Sequence, residues 1–248
     1  MTFRVKLLQP NDSAESFPDP NNARPSIGYP DGLIAIGGDL SSERLLYAYS
    51  HGIFPWFNDE QPIMWWSPDP RAVIFTADFH MSRSLTRRLR NESWEYSLNQ
   101  DFANVIQNCA NNRGKHGTWI TNDMISAYQK MHELGYAHSI EAWCDGELAG
   151  GIYGLRIGNI FCGESMFSLH ADGSKVALSA LVHVCKQEQI ELIDCQLEST
   201  HLQSLGMIEI PRSHFLDLLR DDSAKPAQLL NWELSRVTAT ELTYLRDA

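Results

Sequence analysis

The chain of 248 residues lacks a surplus of positive charge: 20 Lys and Arg stand against 31 Asp and Glu, a formal net charge of −11. That excludes coating nucleic acid through bulk charge and leaves room only for a local basic face. It also lacks a membrane-length apolar run. The most apolar stretch, Val176 to Cys185, is half the roughly 20 residues a spanning helix needs. The cysteines number five, at 109, 144, 162, 185 and 195, and no two share CxxC spacing, so no disulfide framework is expected. The nine histidines are scattered and form no His/Cys metal cluster. GxxxxGK[ST], GxGxxG, GxSxG and HExxH are all missing, which removes the usual signatures of phosphate loops, nucleophile elbows and zincins. The simplest expectation is chemistry with no cofactor and no metal. Arg4 and Lys6 run into Pro10, Asp12 and Glu15 with no apolar stretch between, unlike a signal peptide. The chain therefore reads as soluble and cytoplasmic, with reduced thiols and no membrane partner.

What is present is ordinary globular composition, 43% hydrophobic and 21% charged, with enough length for a core that needs no staples. Proline divides the chain. Pro18, Pro20, Pro25, Pro30, Pro55, Pro62, Pro68 and Pro70 crowd the first seventy residues, with Gly32, Gly37 and Gly38. Proline interrupts ladders, so residues 1–70 are expected to be a small loop-rich domain around one helix, Ser42 to His51. Regular elements take over in residues 71–248. Helices are expected at Ser82–Asn91, from Phe102 with Asp101 as cap, at Asn122–Leu134 with Thr121 as cap and Gly135 as stop, and at Ser174–Glu188. Strands are expected at Ala72–Thr76, Trp94–Leu98, Ser139–Cys144, Glu147–Arg156, Asn159–Met166 and Leu192–Leu197. Asp145-Gly146 and Gly158-Asn159 read as tight hairpin turns. A short helix ending at Gly206, a strand through Ile210 and a helix opened by Pro211 close the pattern. Three hairpin-linked strands followed by helix, strand and helix predict an α+β fold with a mixed sheet.

Four segments carry chemistry. In Leu192-Ile193-Asp194-Cys195-Gln196-Leu197, strand alternation puts Asp194 and Gln196 on one face, about 6.6 Å apart, and Cys195 on the other. An acid inside an apolar strand is expensive unless paired or used. Asp194 can attract an ammonium or orient an amine, and Gln196 can hold a carbonyl or an amide; a strand-end pair that caps a loop is the plainer alternative. Gly163-Glu164-Ser165-Met166-Phe167-Ser168 sets a carboxylate and two hydroxyls beside apolar groups, as in a ligand pocket, or else is a bulged strand end. Tyr47, Tyr49, Phe54, Trp56, Phe57, Trp65, Trp66 and Trp119 are either wedges that lock the two regions together or platforms for a base. Along Ser82–Asn91, Arg83, Arg87 and Arg90 share a helix face away from Leu85 and Leu89, which is a phosphate-contacting patch or a solvated face.

Taken together, Gly37-Gly38-Asp39-Leu40, Gly52-Ile53-Phe54-Pro55-Trp56-Phe57, Trp65-Trp66-Ser67-Pro68-Asp69-Pro70-Arg71, Gly117-Thr118-Trp119-Ile120-Thr121, Gly163 to Ser168, Asp194-Cys195-Gln196 and Ser204-Leu205-Gly206 resemble the leucyl/phenylalanyl-tRNA–protein transferase family, from about residue 28 to 215. The resemblance implies transfer of Leu, Phe or Met from aminoacyl-tRNA to the α-amine of proteins beginning with Arg or Lys, which marks them for degradation. It also implies an acetyltransferase-like (GNAT-like) second domain. The acetyl-coenzyme A loop [QR]xxGx[GA] is unmatched, because Ile208 follows Gln203-x-x-Gly206 at the last place.

By position, the resemblance makes Asp194 and Gln196 the catalytic pair and Glu164 a carboxylate near the donor's amino group. Trp56 and Trp119, with Tyr49, would pack on the donor's terminal adenosine. Ile152, Phe161, Met166, Leu178, Leu181 and Ile193 would line the side-chain pocket. Arg83, Arg87, Arg88 and Arg90 would meet the tRNA acceptor stem. A monomer is expected, whose chemistry is attack of a neutral amine on an activated ester, helped mainly by positioning. A coenzyme A-dependent N-acetyltransferase, a non-catalytic tRNA- or peptide-binding module, and a transferase that places Leu on acidic termini are the competing readings.

Overall fold

The computed structural model describes residues 4–23, 30–111, 119–223, 232 and 234–246. Pro25, Gly117 and Thr118, singled out in the sequence, lie outside them. The first seventy residues are more regular than their prolines suggest. β1 (Lys6–Leu8), β2 (Leu33–Gly37), β3 (Phe54–Pro55) and β4 (Met64–Trp66) form a four-stranded sheet in the order β1-β2-β4-β3. The expectation of loops around one helix is corrected here. Pro55 sits in the edge strand β3, and Pro62 and Pro68 lie outside β4, so proline bounds the strands without breaking a central ladder. The expected helix α1 (Ser42–Ser50) starts where Ser41 Oγ accepts the Arg44 N–H and stops before Gly52, whose φ is +71°.

After β5 (Arg71–Phe75) come α2 (Arg83–Asn91), β6 (Trp94–Leu98), α3 (Phe102–Asn111) and α4 (Asn122–Glu133). The antiparallel meander β7 (Ala137–Cys144), β8 (Glu147–Ile157), β9 (Ile160–Ser168) follows. Asp145 and Gly146 both have positive φ, 50° and 84°, as a two-residue hairpin turn with the strand's own twist requires. α5 (Gly173–Gln187), β10 (Leu192–Gln196), α6 (Thr200–Gln203), β11 (Ile208–Ile210), α7 (Arg212–Ser223) and β12 (Leu234–Thr238) complete the chain, with a 3-10 segment at Ala239–Arg246. Strands β11-β5-β10-β9-β8-β7-β6-β12 make one eight-stranded sheet, in which only β9 and β10 pair in parallel. The protein is α+β with a mixed sheet. The edge strand β12 has no counterpart among the strands expected from sequence; its five residues are half-buried or exposed and carry no alternation to detect.

Successive residues of the sheet serve opposite cores. Tyr153 joins an apolar cluster with Phe102, Val105, Met124, Tyr128 and Phe215, whereas Ile152 joins one with Leu85, Leu89, Leu178 and Leu181. The first cluster also contains Leu8, Ile34, Leu45 and Trp65, so the small sheet packs onto the large one through a shared core. Each large apolar side chain buried this way stabilises the fold by about 1.5–3 kcal/mol.

Candidate active site

β9 and β10 pair only from Leu192↔Ile160 to Asp194↔Cys162, and then they part. Each carries a bulge at that point. Between β8 and β9 the register steps from Tyr153↔Ser165 to Gly154↔Gly163, which leaves Glu164 as the extra residue. Between β10 and β5 it steps from Asp194↔Val73 to Gln196↔Ala72, which leaves Cys195 over. Gln196 turns with φ +59°. Bulges re-aim side chains, and these two open a cavity of about 250 Å³ between the strands. Gly163, Glu164, Ser165 and Met166 come from β9, and Ile193 to Gln196 from β10; Ile152, Leu178 of α5 and Leu202 of α6 close the apolar side.

Asp194 is fully buried. A carboxylate there needs a partner, and Arg71 supplies one: its Nε and Nη2 donate to Oδ1 and Oδ2, both at 2.7 Å. The guanidinium lies 4.9 Å from the Phe54 ring and 4.5 Å from the Phe215 ring, and its Nη1 donates to the Gly52 carbonyl at 3.1 Å. Burial works against the Arg71 charge, but the Asp194 carboxylate outweighs it and holds the guanidinium above its ordinary range. Oδ1 of Asp194 also accepts the Gln196 N–H at 3.0 Å, so the same acid pins the bulge.

The Gln196 side-chain amide donates to Glu164 Oε1 at 3.2 Å, and the Tyr128 hydroxyl donates to Oε2 at 2.9 Å. Behind it the Tyr49 and Tyr128 hydroxyls bond to each other. Burial pushes the Glu164 carboxyl up to about 7, although the two tyrosine hydroxyls pull it down. Both phenols are driven well above their ordinary range, by burial first and then by the Glu164 charge. Five elements, α1, α4, β9, β10 and β5, therefore meet in one polar chain at the mouth of an apolar cavity.

Of the residues singled out from sequence, Asp194, Gln196, Glu164, Ile152, Met166, Leu178 and Ile193 are brought together here. Phe161 and Leu181 are not: both are fully buried in the second core cluster, and Phe161 stacks on Trp232 at 6.1 Å. Tyr49 reaches the site only through Tyr128 and Glu164. Trp65 is a wedge, fully buried with its Nε1 donating to the Gly37 carbonyl. Trp56 keeps 40% of its surface exposed, edge-on to Trp66, and Trp119 is half-buried; neither lines the cavity. On α2, Arg83, Arg87 and Arg90 are exposed while Leu85 and Leu89 are buried, as the helix face predicts. Arg88 differs, since it pairs with Asp172 at 3.0 Å and Glu92 at 3.4 Å.

Cys195 also lines the cavity, at the bulge, while packing against the same core cluster as Ile193, the face that strand alternation gives it. Burial pushes its thiol well above the ordinary range, which keeps it protonated and a poor nucleophile. No group of three or more His, Cys, Asp or Glu among the described residues is arranged to hold a metal. Arg71 and Tyr128 belong to the site although no sequence signal marks them. Arg71 ends the Trp65–Arg71 segment, but nothing local connects it to an acid 123 positions on.

Residues 73–220 match the family model for leucyl/phenylalanyl-tRNA protein transferase, and residues 38–69 match the model for its N-terminal domain. The chain belongs to this family. It is 50% identical over 211 residues to the leucyl/phenylalanyl-tRNA–protein transferase of Idiomarina loihiensis, covering 85% of this chain and 88% of that protein. The protein of the same name from Erwinia tasmaniensis is 47% identical over 233 residues, 94% of this chain and 100% of that one. Among solved structures, L-PGS from Bacillus licheniformis is similar over 67% of this chain and 53% of that one, at 12% identity and a TM-score of 0.39, a likeness too weak to carry an argument. Within the family, the cavity between β9 and β10 is this chain's candidate active site.

Proposed function

We propose that the chain moves Leu, Phe or Met from aminoacyl-tRNA onto the α-amine of proteins that begin with Arg or Lys, marking them for degradation. The observation that carries this reading is the cavity where β9 and β10 part, apolar on one side and closed on the other by Glu164, Gln196 and Asp194. Family membership supports the reaction class. The donor's side chain enters between Ile152, Met166, Leu178 and Ile193, and Glu164 faces its amino group. An aminoacyl ester is already activated, and an α-amine with pKa near 7.7–8.0 is partly neutral at physiological pH. The acceptor nitrogen attacks the ester carbonyl carbon, the C–N bond forms as the C–O bond to ribose breaks, and the amine proton leaves with the ribose oxygen. Holding both substrates in place supplies about 7–11 kcal/mol of the barrier reduction, which is why positioning dominates.

Both carboxylate oxygens of Asp194 are held by Arg71, so Asp194 acts here as an anchor that fixes Gln196 and the reacting groups rather than as a free base. Trp56 and Trp119 offer faces for the terminal adenosine, and Arg83, Arg87 and Arg90 offer charge to the acceptor stem. Residues 71–248 are read as an acetyltransferase-like domain and 1–70 as a proline-rich N-terminal one, working as a monomer in the cytoplasm, where charged tRNA is found. No helix among the described residues is long and apolar enough to cross a membrane. Mixing the purified chain with leucyl-tRNA and peptides headed by Arg, Lys, Asp or Ala, then weighing the products, tests the reading. Leucine is expected on the Arg and Lys peptides alone. A chain stabilised against heat by acetyl-coenzyme A, or one that binds charged tRNA without consuming it, would instead support a rival class.

A further inference from the structure

Glycines in the large sheet fall into two kinds. At Gly154 a Cβ would run into the Cys162 carbonyl, and at Gly151 it would lie 2.8 Å from the Phe167 ring, so packing forbids a side chain at either. Gly163 is different. Its φ is not left-handed, and a Cβ built there lies 3.7 Å from the Asp194 carbonyl oxygen, 3.8 Å from Ile193 Cγ2 and 3.9 Å from Ile152 Cδ1. Those are ordinary van der Waals separations, so neither backbone nor packing requires glycine. Glycine inside a strand also lacks a side chain to pack and weakens it. Both isoleucines that the missing Cβ would touch line the cavity between β9 and β10, as does Gly163 itself. The direction of the missing side chain is into that cavity. What glycine leaves there is volume, immediately next to Glu164.

We infer that Gly163 sets the upper size limit of the donor side chain, keeping the cavity wide enough for the ring of Phe as well as for Leu. The inference rests on the proposed function, in which the donor's amino group lies at Glu164 and its side chain in the apolar part of the cavity. A methyl at Gly163 removes space that an aromatic ring uses and a branched aliphatic chain uses less. A misfit of one methylene in an apolar pocket discriminates by about 10–200-fold.

The test compares kcat/KM for phenylalanyl-tRNA and leucyl-tRNA, with one Arg-headed peptide, in the parent and in Gly163→Ala. Leucine transfer is expected to persist while the Phe/Leu ratio drops by about tenfold or more. Adding Ile152→Val to Gly163→Ala removes the Cδ1 atom that the new methyl meets, and the ratio is expected to climb back toward the parental one. A thermal melt of Gly163→Ala should show a folded chain, because the new atom has room; loss of folding would overturn the premise. An unchanged ratio, an equal fall for both donors, or no recovery with Ile152→Val would overturn the inference. Failure of the parent to transfer either amino acid would instead remove the proposed function on which it rests.

Discussion

Arg71 and Asp194 face each other as a two-pronged ion pair that water does not reach, both bonds 2.7 Å long. The pair ties β5 to β10 and, through the Gly52 carbonyl and the Phe54 and Phe215 rings, ties both to the small sheet and α7. Breaking a buried pair from one side leaves the other charge stranded and costs about 3–5 kcal/mol, whereas replacing both partners with apolar residues is often neutral. Asp194→Ala and Arg71→Met should each destabilise by about that much in urea unfolding, and Arg71→Met with Asp194→Leu should be clearly more stable than either. Additive losses in the double variant would contradict the pairing.

Glu164 makes stability depend on pH. Its folded carboxyl is raised to about 7, from an ordinary value near 4.5, chiefly by burial. Between those values the folded chain holds a proton that the unfolded chain has released, so stability falls as pH rises through the window. Glu164→Gln removes the group. Its unfolding free energy should therefore increase relative to that of the parent between pH 5 and pH 8, so that the variant gains stability over the parent as pH rises. A difference independent of pH would show that the carboxyl is not raised.

Tyr128→Phe deletes a hydroxyl that donates to Glu164 and bonds to Tyr49. Losing one net hydrogen bond costs about 0.5–1.5 kcal/mol, and the Glu164 carboxyl should rise further because one donor to its charged form is gone. The pH-dependent part of stability should therefore shift upward. A shift downward would mean that the hydroxyl does not donate to the carboxylate.

How much of this was legible in the sequence depends on how local its causes are. Ser41 and Thr121 cap their helices through side-chain bonds to residues three positions on, and Asp145-Gly146 closes its hairpin alone. Such signals survive any tertiary context. The small N-terminal sheet was not legible, because β3 and β4 are two and three residues long and are made strands only by their pairing with each other and with β2. Alternation correctly set Asp194 and Gln196 apart from Ile193 and Cys195, which share the second core cluster, but it gave no sign that a bulge, decided by what the neighbouring strand does, would bring all four to the cavity. Phe161 is hydrophobic and on the right strand, and the sequence holds no cue that it packs on Trp232 rather than around a ligand.

The α2 arginines divide by environment. Arg83, Arg87 and Arg90 are exposed, whereas Arg88 is engaged with Asp172 and Glu92. If the exposed three bind phosphates, replacing each with Gln should flatten the log–log salt dependence of tRNA binding by roughly 0.7–0.9 for every phosphate no longer neutralised. Arg88→Gln should flatten it less. An unaltered slope in the triple variant would place the tRNA elsewhere.

The most direct test of the whole account is single-turnover transfer of radiolabelled leucine from leucyl-tRNA, with no nucleotide, metal or coenzyme added, to a peptide whose first residue is Arg. The account predicts that the label moves to the peptide in an amide bond, and that Glu164→Gln and Gln196→Ala slow this step. Label that stays esterified to tRNA while the peptide is in excess would contradict it.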